Sequence, residues 1–241
     1  MSLQVESLRR FVAHGAEELG IALPDGALTR FATYYELLEK TNRSVNLTSI
    51  RGAEDVARLH FLDSIALLKA TSFAESRVID IGSGAGFPGI PLKIADPTIE
   101  LTLLEATHKR VAFLSELCAT LEIKAVCLHE RAEELANKND MRERYDIAVS
   151  RAVARLNALS ELCLPFVRVG GVFIALKGVD SADELKEAHN AIGTLGAVLQ
   201  GCHDYTIPGT DVRHLAVLIR KTTKTDDKFP RRYVKIQKTP L

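Results

Sequence analysis

Residues Val78-Ile79-Asp80-Ile81-Gly82-Ser83-Gly84-Ala85-Gly86-Phe87-Pro88-Gly89 carry the reading that decides the fold. A short apolar run enters a glycine-rich turn, and a helix follows. Glycines there let the backbone turn sharply and approach a ligand without a Cβ clash. The first turn of the following helix offers free N–H groups. Gly84-x-Gly86-x-x-Gly89 satisfies the dinucleotide pattern, and Glu105 stands about 20 residues on, where a ribose-binding acid is expected. The loop alone admits NAD, FAD or S-adenosylmethionine, or a purely structural tight turn. Asp80 favours the methyl donor, because a carboxylate suits a cationic amino group and sulfonium and is awkward beside a pyrophosphate. Hydride transfer remains the second reading.

Outward from the loop, short β-rich runs alternate with helical ones. Val78–Ile81, Ile99–Leu104, Lys124–Leu128, Asp146–Val149 and Val172–Leu176 read as strands. Lys109–Leu121, Arg131–Ala136, Val153–Phe166 and Ser181–Leu195 read as the helices between them. Such alternation predicts right-handed βαβ units and a parallel sheet. The last two strands, near Val198–Tyr205 and Leu215–Ile219, are joined by Ile207-Pro208-Gly209-Thr210-Asp211. That link is too short for a crossover helix and predicts an antiparallel pair. Upstream, three stretches with a period near 3.6 predict helices: Leu8–Leu19, Phe31–Leu38 and Val56–Leu68. The expected fold is therefore α/β: a Rossmann-like, mostly parallel seven-stranded sheet with an antiparallel last strand. A helical region, 1–75, precedes a donor-binding domain, 76–241, with the boundary near Thr71–Arg77.

The chain has 241 residues and zero formal net charge, with charge unevenly placed. Arg220–Leu241 holds eight Lys/Arg against two Asp, a net of +6, so the rest carries −6. A basic tail on an acidic body suits nucleic acid, although a solvated, disordered end reads the same way. No apolar run reaches the roughly 18 residues of a membrane helix. The N-terminus lacks the pattern of a secretory signal. Cys118, Cys127, Cys163 and Cys202 form no CxxC pair, which predicts reduced thiols and no structural metal. A cytoplasmic location and a monomeric state are expected.

Several segments together resemble the RsmG family, also called glucose-inhibited division protein B. Ile79–Leu92 resembles its signature, with Phe87-Pro88-Gly89-Ile90-Pro91 the specific part. Asn42-Arg43-x-x-Asn46-Leu47-Thr48 and His60-Phe61-Leu62-Asp63-Ser64 resemble its N-terminal motifs. Glu105-Ala106-Thr107-x-Lys109-Arg110, Arg131-Ala132-Glu133, Ser150-Arg151-Ala152 and Lys177-Gly178 resemble later ones. Phe229-Pro230-Arg231-Arg232 and the final Pro240-Leu241 resemble its tail, from which Tyr233-Val234-Lys235 depart. The resemblance implies a class I methyltransferase that uses S-adenosylmethionine to methylate N7 of a guanosine in 16S rRNA, free or in the small ribosomal subunit. Other readings are methylation of another RNA or of a small molecule, or a non-catalytic module that binds the donor.

Asp80, by its place on the strand, and Gly82 and Phe87, by the resemblance, are expected at the methionine end of the donor, and Ser83, Gly84 and Gly86 are expected among its other contacts. Glu105 is expected on the ribose and Ala132-Glu133 beside the adenine. Arg151 is expected at the cleft where the methyl is delivered, as a donor contact and a candidate catalytic residue. Phe87 reads equally as a helix-packing aromatic, and Glu133 as an ordinary first-turn acid. His60 and Asp63 are three apart, as a catalytic dyad or as a hydrogen bond tying the helical region to the sheet. Lys177, Arg231, Arg232 and Lys235 are expected on RNA, with Tyr34, Tyr35 and Phe229 available to stack on bases. After the fourth strand there is no Asn-Pro-Pro-aromatic segment and no Pro-Cys nucleophile. That fits guanine N7, a lone pair without a proton, which needs no general base and can be methylated by positioning and electrostatics.

Overall fold

The computed structural model describes residues 3–138, 140–151, 153–179 and 181–241. Ala152 of the Ser150-Arg151-Ala152 motif lies outside the described residues. Seven strands form one sheet: β1 Arg77–Ile81, β2 Glu100–Glu105, β3 Ala125–His129, β4 Tyr145–Arg151, β5 Val167–Gly178, β6 Ala197–Thr206 and β7 Arg213–Lys221. Their spatial order is β3-β2-β1-β4-β5-β7-β6. The first five are mutually parallel, and β7 runs antiparallel to both β5 and β6. Every strand expected from the sequence is present, and the short Ile207–Asp211 link closes the hairpin through Ile207 N–H to Val212 C=O.

Consecutive strand residues feed opposite layers, because side chains alternate across a sheet. Val78, Leu103, Ile147, Val149 and Ile174 join one apolar cluster with the N-terminal helices. Ile79, Ile81, Leu104, Ala148 and Phe173 join the other, with the helices Leu156–Cys163 and Ala182–Thr194 and the tail. Burial on both faces is why these strands read as continuous apolar runs.

Two of the N-terminal helices are regular, Leu3–Glu18 and Ala27–Val45. The third run, 53–69, is not. It starts as Ala53–Val56, widens to a π-helix over Ala57–Leu62, returns to α at Asp63–Ile65 and ends as a 3₁₀ turn at Ala66–Lys69. The Asp63 N–H reaches back to Arg58 C=O, and the Ser64 hydroxyl donates to His60 C=O at 2.6 Å. Such widened turns occur mostly as single inserts within α-helices, often at functional sites. From this turn His60 and Asp63 both reach the end of β4.

Candidate active site

The glycine loop leaves β1 at the point where the strand order turns from β2 to β4, the crevice where open α/β sheets bind ligands. Gly82 and Ser83 donate their N–H groups to Leu104 C=O, at 2.9 and 3.1 Å, and the Ser83 hydroxyl donates to Asp80 C=O. At two positions only glycine fits. Gly82 has φ +72° and a Cβ there would sit 2.6 Å from Val153 Cγ2. Gly86 has φ +99° and its Cβ would meet the Tyr34 hydroxyl and Ile90 Cδ1 at 2.7 Å.

A cavity of about 440 Å³ opens above this loop, within the size range of small-molecule sites. Its wall contains most of the residues singled out in the sequence: Gly82, Ser83, Gly84, Phe87, Glu105, Ala132, Glu133 and Arg151. Glu105 is almost fully buried at the end of β2. Its Oε2 accepts from Gly84 N–H at 3.0 Å and its Oε1 from Thr107 N–H at 2.8 Å. The carboxylate thus fixes the loop against the second strand while forming part of the cavity wall.

Asp80 and Gly86 stand outside the wall. Asp80 is wholly buried behind the loop, where Oδ2 accepts Gly89 N–H at 2.8 Å and so holds the start of helix Gly89–Ala95. Its Oδ1 has no hydrogen-bond partner among the described residues. Burial pushes its pKa up to about 7, against the pull of the Gly89 N–H and Arg151. Of the two Asp80 oxygens, one is thus spent on the protein's own backbone.

Arg151 leaves the end of β4 half-buried. Nη1 donates to Asp63 Oδ2 at 2.9 Å and to Leu59 C=O at 3.1 Å, Nη2 lies 2.9 Å from His60 Nδ1, and the guanidinium sits 5.0 Å over the Phe87 ring. A guanidinium only donates, so His60 Nδ1 is the acceptor and the ring proton is on Nε2. Nε2 then donates to Thr48 Oγ1 at 2.8 Å. Burial, with Arg151 next, brings His60 down to about 3 and keeps the ring neutral. His60 also stacks on Phe87 at 4.2 Å. Asp63 accepts from Arg151, from the Tyr205 hydroxyl at 2.8 Å and from His214 Nδ1 at 2.7 Å. Burial pushes Asp63 up, but these partners outweigh it and hold the group below the usual carboxylate range. His60 and Asp63 are thus not bonded as a dyad. Each binds Arg151, and Asp63 ties the third helical run to β4, β6 and β7.

A second cavity, about 580 Å³, adjoins the first and shares Thr48, His60 and Arg151 with it. Its other walls are Ser49-Ile50, the end of β5 at Leu176–Gly178, and His214 of β7. Lys177 lines it, but its ammonium is already engaged by Glu184 and by Ala154 C=O, both at 2.7 Å.

The tail is folded. Phe229 and Ile236 are buried against helix Leu156–Cys163, and Tyr233–Lys238 is a short helix. Arg231 binds the fully buried Glu161 carboxylate with both Nε and Nη2, the latter at 2.6 Å, and its own N–H adds a third bond. Tyr233 lines the first cavity and lies under the Arg131 guanidinium. Of the tail cations expected on RNA, Arg232 and Lys235 are exposed and Arg231 is not. Tyr34, Tyr35 and Phe229 are all buried, so none is placed to stack on a splayed base. Sequence reasoning missed Thr48 as a wall residue, although it closes the Asn42–Thr48 motif. It also missed Tyr233, whose only signal was departure from the family's tail.

A family profile described as rRNA small subunit methyltransferase G matches residues 27–214. The chain is 43% identical over 227 residues to a protein named ribosomal RNA small subunit methyltransferase G from Clostridium perfringens (strain SM101), covering 93% of this chain and 95% of that one. It is 43% identical over 236 residues to the protein of that name from Alkaliphilus oremlandii, covering 97% and 99%. Among solved structures, a ribosomal protein L11 methylase from Lactobacillus delbrueckii superposes with a TM-score of 0.51 at 13% identity, over 67% of this chain and 77% of that one, a likeness of fold alone.

Proposed function

The chain belongs to the rRNA small subunit methyltransferase G family, and from that premise we propose that it methylates guanine N7 in 16S rRNA of the small ribosomal subunit. The donor is S-adenosylmethionine, which when bound supplies an electrophilic methyl on a sulfonium. The wall fits it: bare glycine backbone at Gly82 and Gly84, a carboxylate at the end of β2, and Ala132-Glu133 at the start of the helical turn after β3. Glu105 would hold the ribose hydroxyls, Gly82 to Gly84 the methionine end, and Ala132-Glu133 the adenine. Phe87 and Arg151 would close the side nearest the acceptor, with Arg151 positioning it rather than exchanging a proton.

One observation carries the N7 reading. The two groups beside the cleft best suited to act as a base, His60 and Asp63, are both fully engaged. An acceptor atom with a lone pair and no proton needs neither. Catalysis then rests on holding that lone pair in line with the methyl. Exposed Arg232 and Lys235, on the same tail segment as the cavity-lining Tyr233, suit phosphates. Incubation with methyl-labelled donor and small-subunit RNA, followed by nucleoside analysis, should yield N7-methylguanosine. A methyl found only on an exocyclic amine or on ribose overturns the reading.

A further inference from the structure

Thr48 sits where the two cavities meet, and its hydrogen bonding is constrained. Its Oγ1 accepts from Ile50 N–H at 3.1 Å and from His60 Nε2–H at 2.8 Å. The direction of the second bond follows from the first member of the chain: Arg151 can only donate to His60 Nδ1, so Nε2 must carry the proton. A hydroxyl has two acceptor lone pairs and one hydrogen. Both lone pairs of Thr48 are used, so only its hydrogen is left. Arg151, His60 and the Ile50 amide together make Thr48 a group that can donate and cannot accept.

We propose that the second cavity receives the acceptor base and that Thr48 selects guanine by donating to its O6. The inference rests on the N7 reading above. The edge that presents N7 carries O6 beside it in guanine, an acceptor, and the N6 amine in adenine, a donor. A donor-only hydroxyl next to the methyl-delivery point pairs with the first and meets the second hydrogen to hydrogen. A site built to bond a polar group strongly rejects an analogue lacking it, because its own polar group is left unpaired. Thr48 is therefore a specificity-determining and positioning residue. It takes no proton.

The test uses small-subunit RNA bearing guanosine or 2-aminopurine riboside at the methylated position; the second lacks O6 and keeps N7. Equilibrium affinity for each is measured with full-length protein saturated with S-adenosylhomocysteine, so that no methyl moves. The ratio of the two affinities within one protein does not depend on how much of a variant is folded. Wild type should prefer guanosine by about 10- to 100-fold, the range for an unpaired buried hydroxyl. Thr48→Val should lose most of that preference, and Thr48→Ser should retain it. An equal preference in Thr48→Val and wild type overturns the proposal, as does loss of preference in Thr48→Ser. Nucleoside analysis of methylated wild-type product decides the underlying reading separately: a methyl away from N7 removes that premise whatever the ratios are.

Discussion

At the scale of single residues, two carboxylates that read alike in the sequence have different physics. Glu105 spends its oxygens on Gly84 and Thr107 N–H groups, at the cavity wall. Glu105→Ala should weaken S-adenosylmethionine binding by about 10- to 100-fold, the loss of charge-assisted hydrogen bonds. Calorimetry showing unchanged donor affinity in a folded variant would refute the ribose role. Asp80 is buried with one oxygen bonded and one bare. Its folded pKa of about 7 lies above the usual 3.8. A raised carboxylate pKa means the folded state binds the proton more tightly. Its contribution is present in full below pH about 4 and is lost as pH rises through about 7. Wild type should therefore lose up to about 4 kcal/mol from this group across that window. Asp80→Asn, which does not titrate, should flatten the dependence. The check is urea unfolding at pH 5 and pH 8. Parallel pH profiles for the two proteins would show that Asp80 does not titrate there.

At the scale of elements, the strands were legible because two-sided burial writes itself as short apolar runs between glycine and charged breaks. The hairpin was legible from the length of one link. Three features were not. The π turn over Ala57–Leu62 keeps the apolar spacing of a helix, and it shows in the backbone bonding, as in the Asp63 N–H that reaches back to Arg58 C=O. The engagement of Lys177, on β5, depends on how Glu184 of the following helix Ala182–Thr194 folds back onto it. The tail's charge count hid a division of labour, since composition cannot say which cation faces inward. Arg231 faces inward onto Glu161, and Arg232 and Lys235 face out. Arg231→Met should therefore cost about 3–5 kcal/mol of stability, because it strands a buried carboxylate. Arg232→Ala with Lys235→Ala should leave stability within about 0.5 kcal/mol. The double variant should also reduce the slope of log RNA affinity against log salt by about 0.7 for each phosphate no longer neutralised. The two readouts should separate cleanly. A flattened salt slope in Arg231→Met at full stability would reverse the assignment. Deleting 228–241 removes Tyr233 from the donor cavity together with the Arg231 anchor, so it should impair donor binding as well as RNA binding.

At the scale of the whole molecule, the division into 1–75 and 76–241 that the change of periodicity suggests is crossed by one continuous apolar cluster. Phe31, Tyr34, Phe61 and Leu62 of the N-terminal helices share one continuous cluster with Val78, Leu103 and Ile147 of the sheet. The Tyr34 hydroxyl donates to Ala85 C=O inside the glycine loop, and Asp63 holds Arg151, Tyr205 and His214 together across three strands. A sheet face stripped of those helices would expose the apolar side chains of β1, β2 and β4 and the back of the donor loop. Each large side chain uncovered costs about 1.5–3 kcal/mol, against a total stability of about 5–15 kcal/mol for an ordinary domain. A handful of them exhausts it. We therefore expect full-length protein to unfold in a single transition, with calorimetric and van't Hoff enthalpies equal. A fragment spanning 76–241 should show neither a cooperative transition nor donor binding. Asp63→Ala in the intact chain should be destabilised by about 3–5 kcal/mol, because it leaves Arg151 half-buried and unpaired beside His60. Two separate thermal transitions, or a 76–241 fragment that binds the donor with full-length affinity, would show instead that the helices are an independent appendage and that the donor loop is built by the sheet alone.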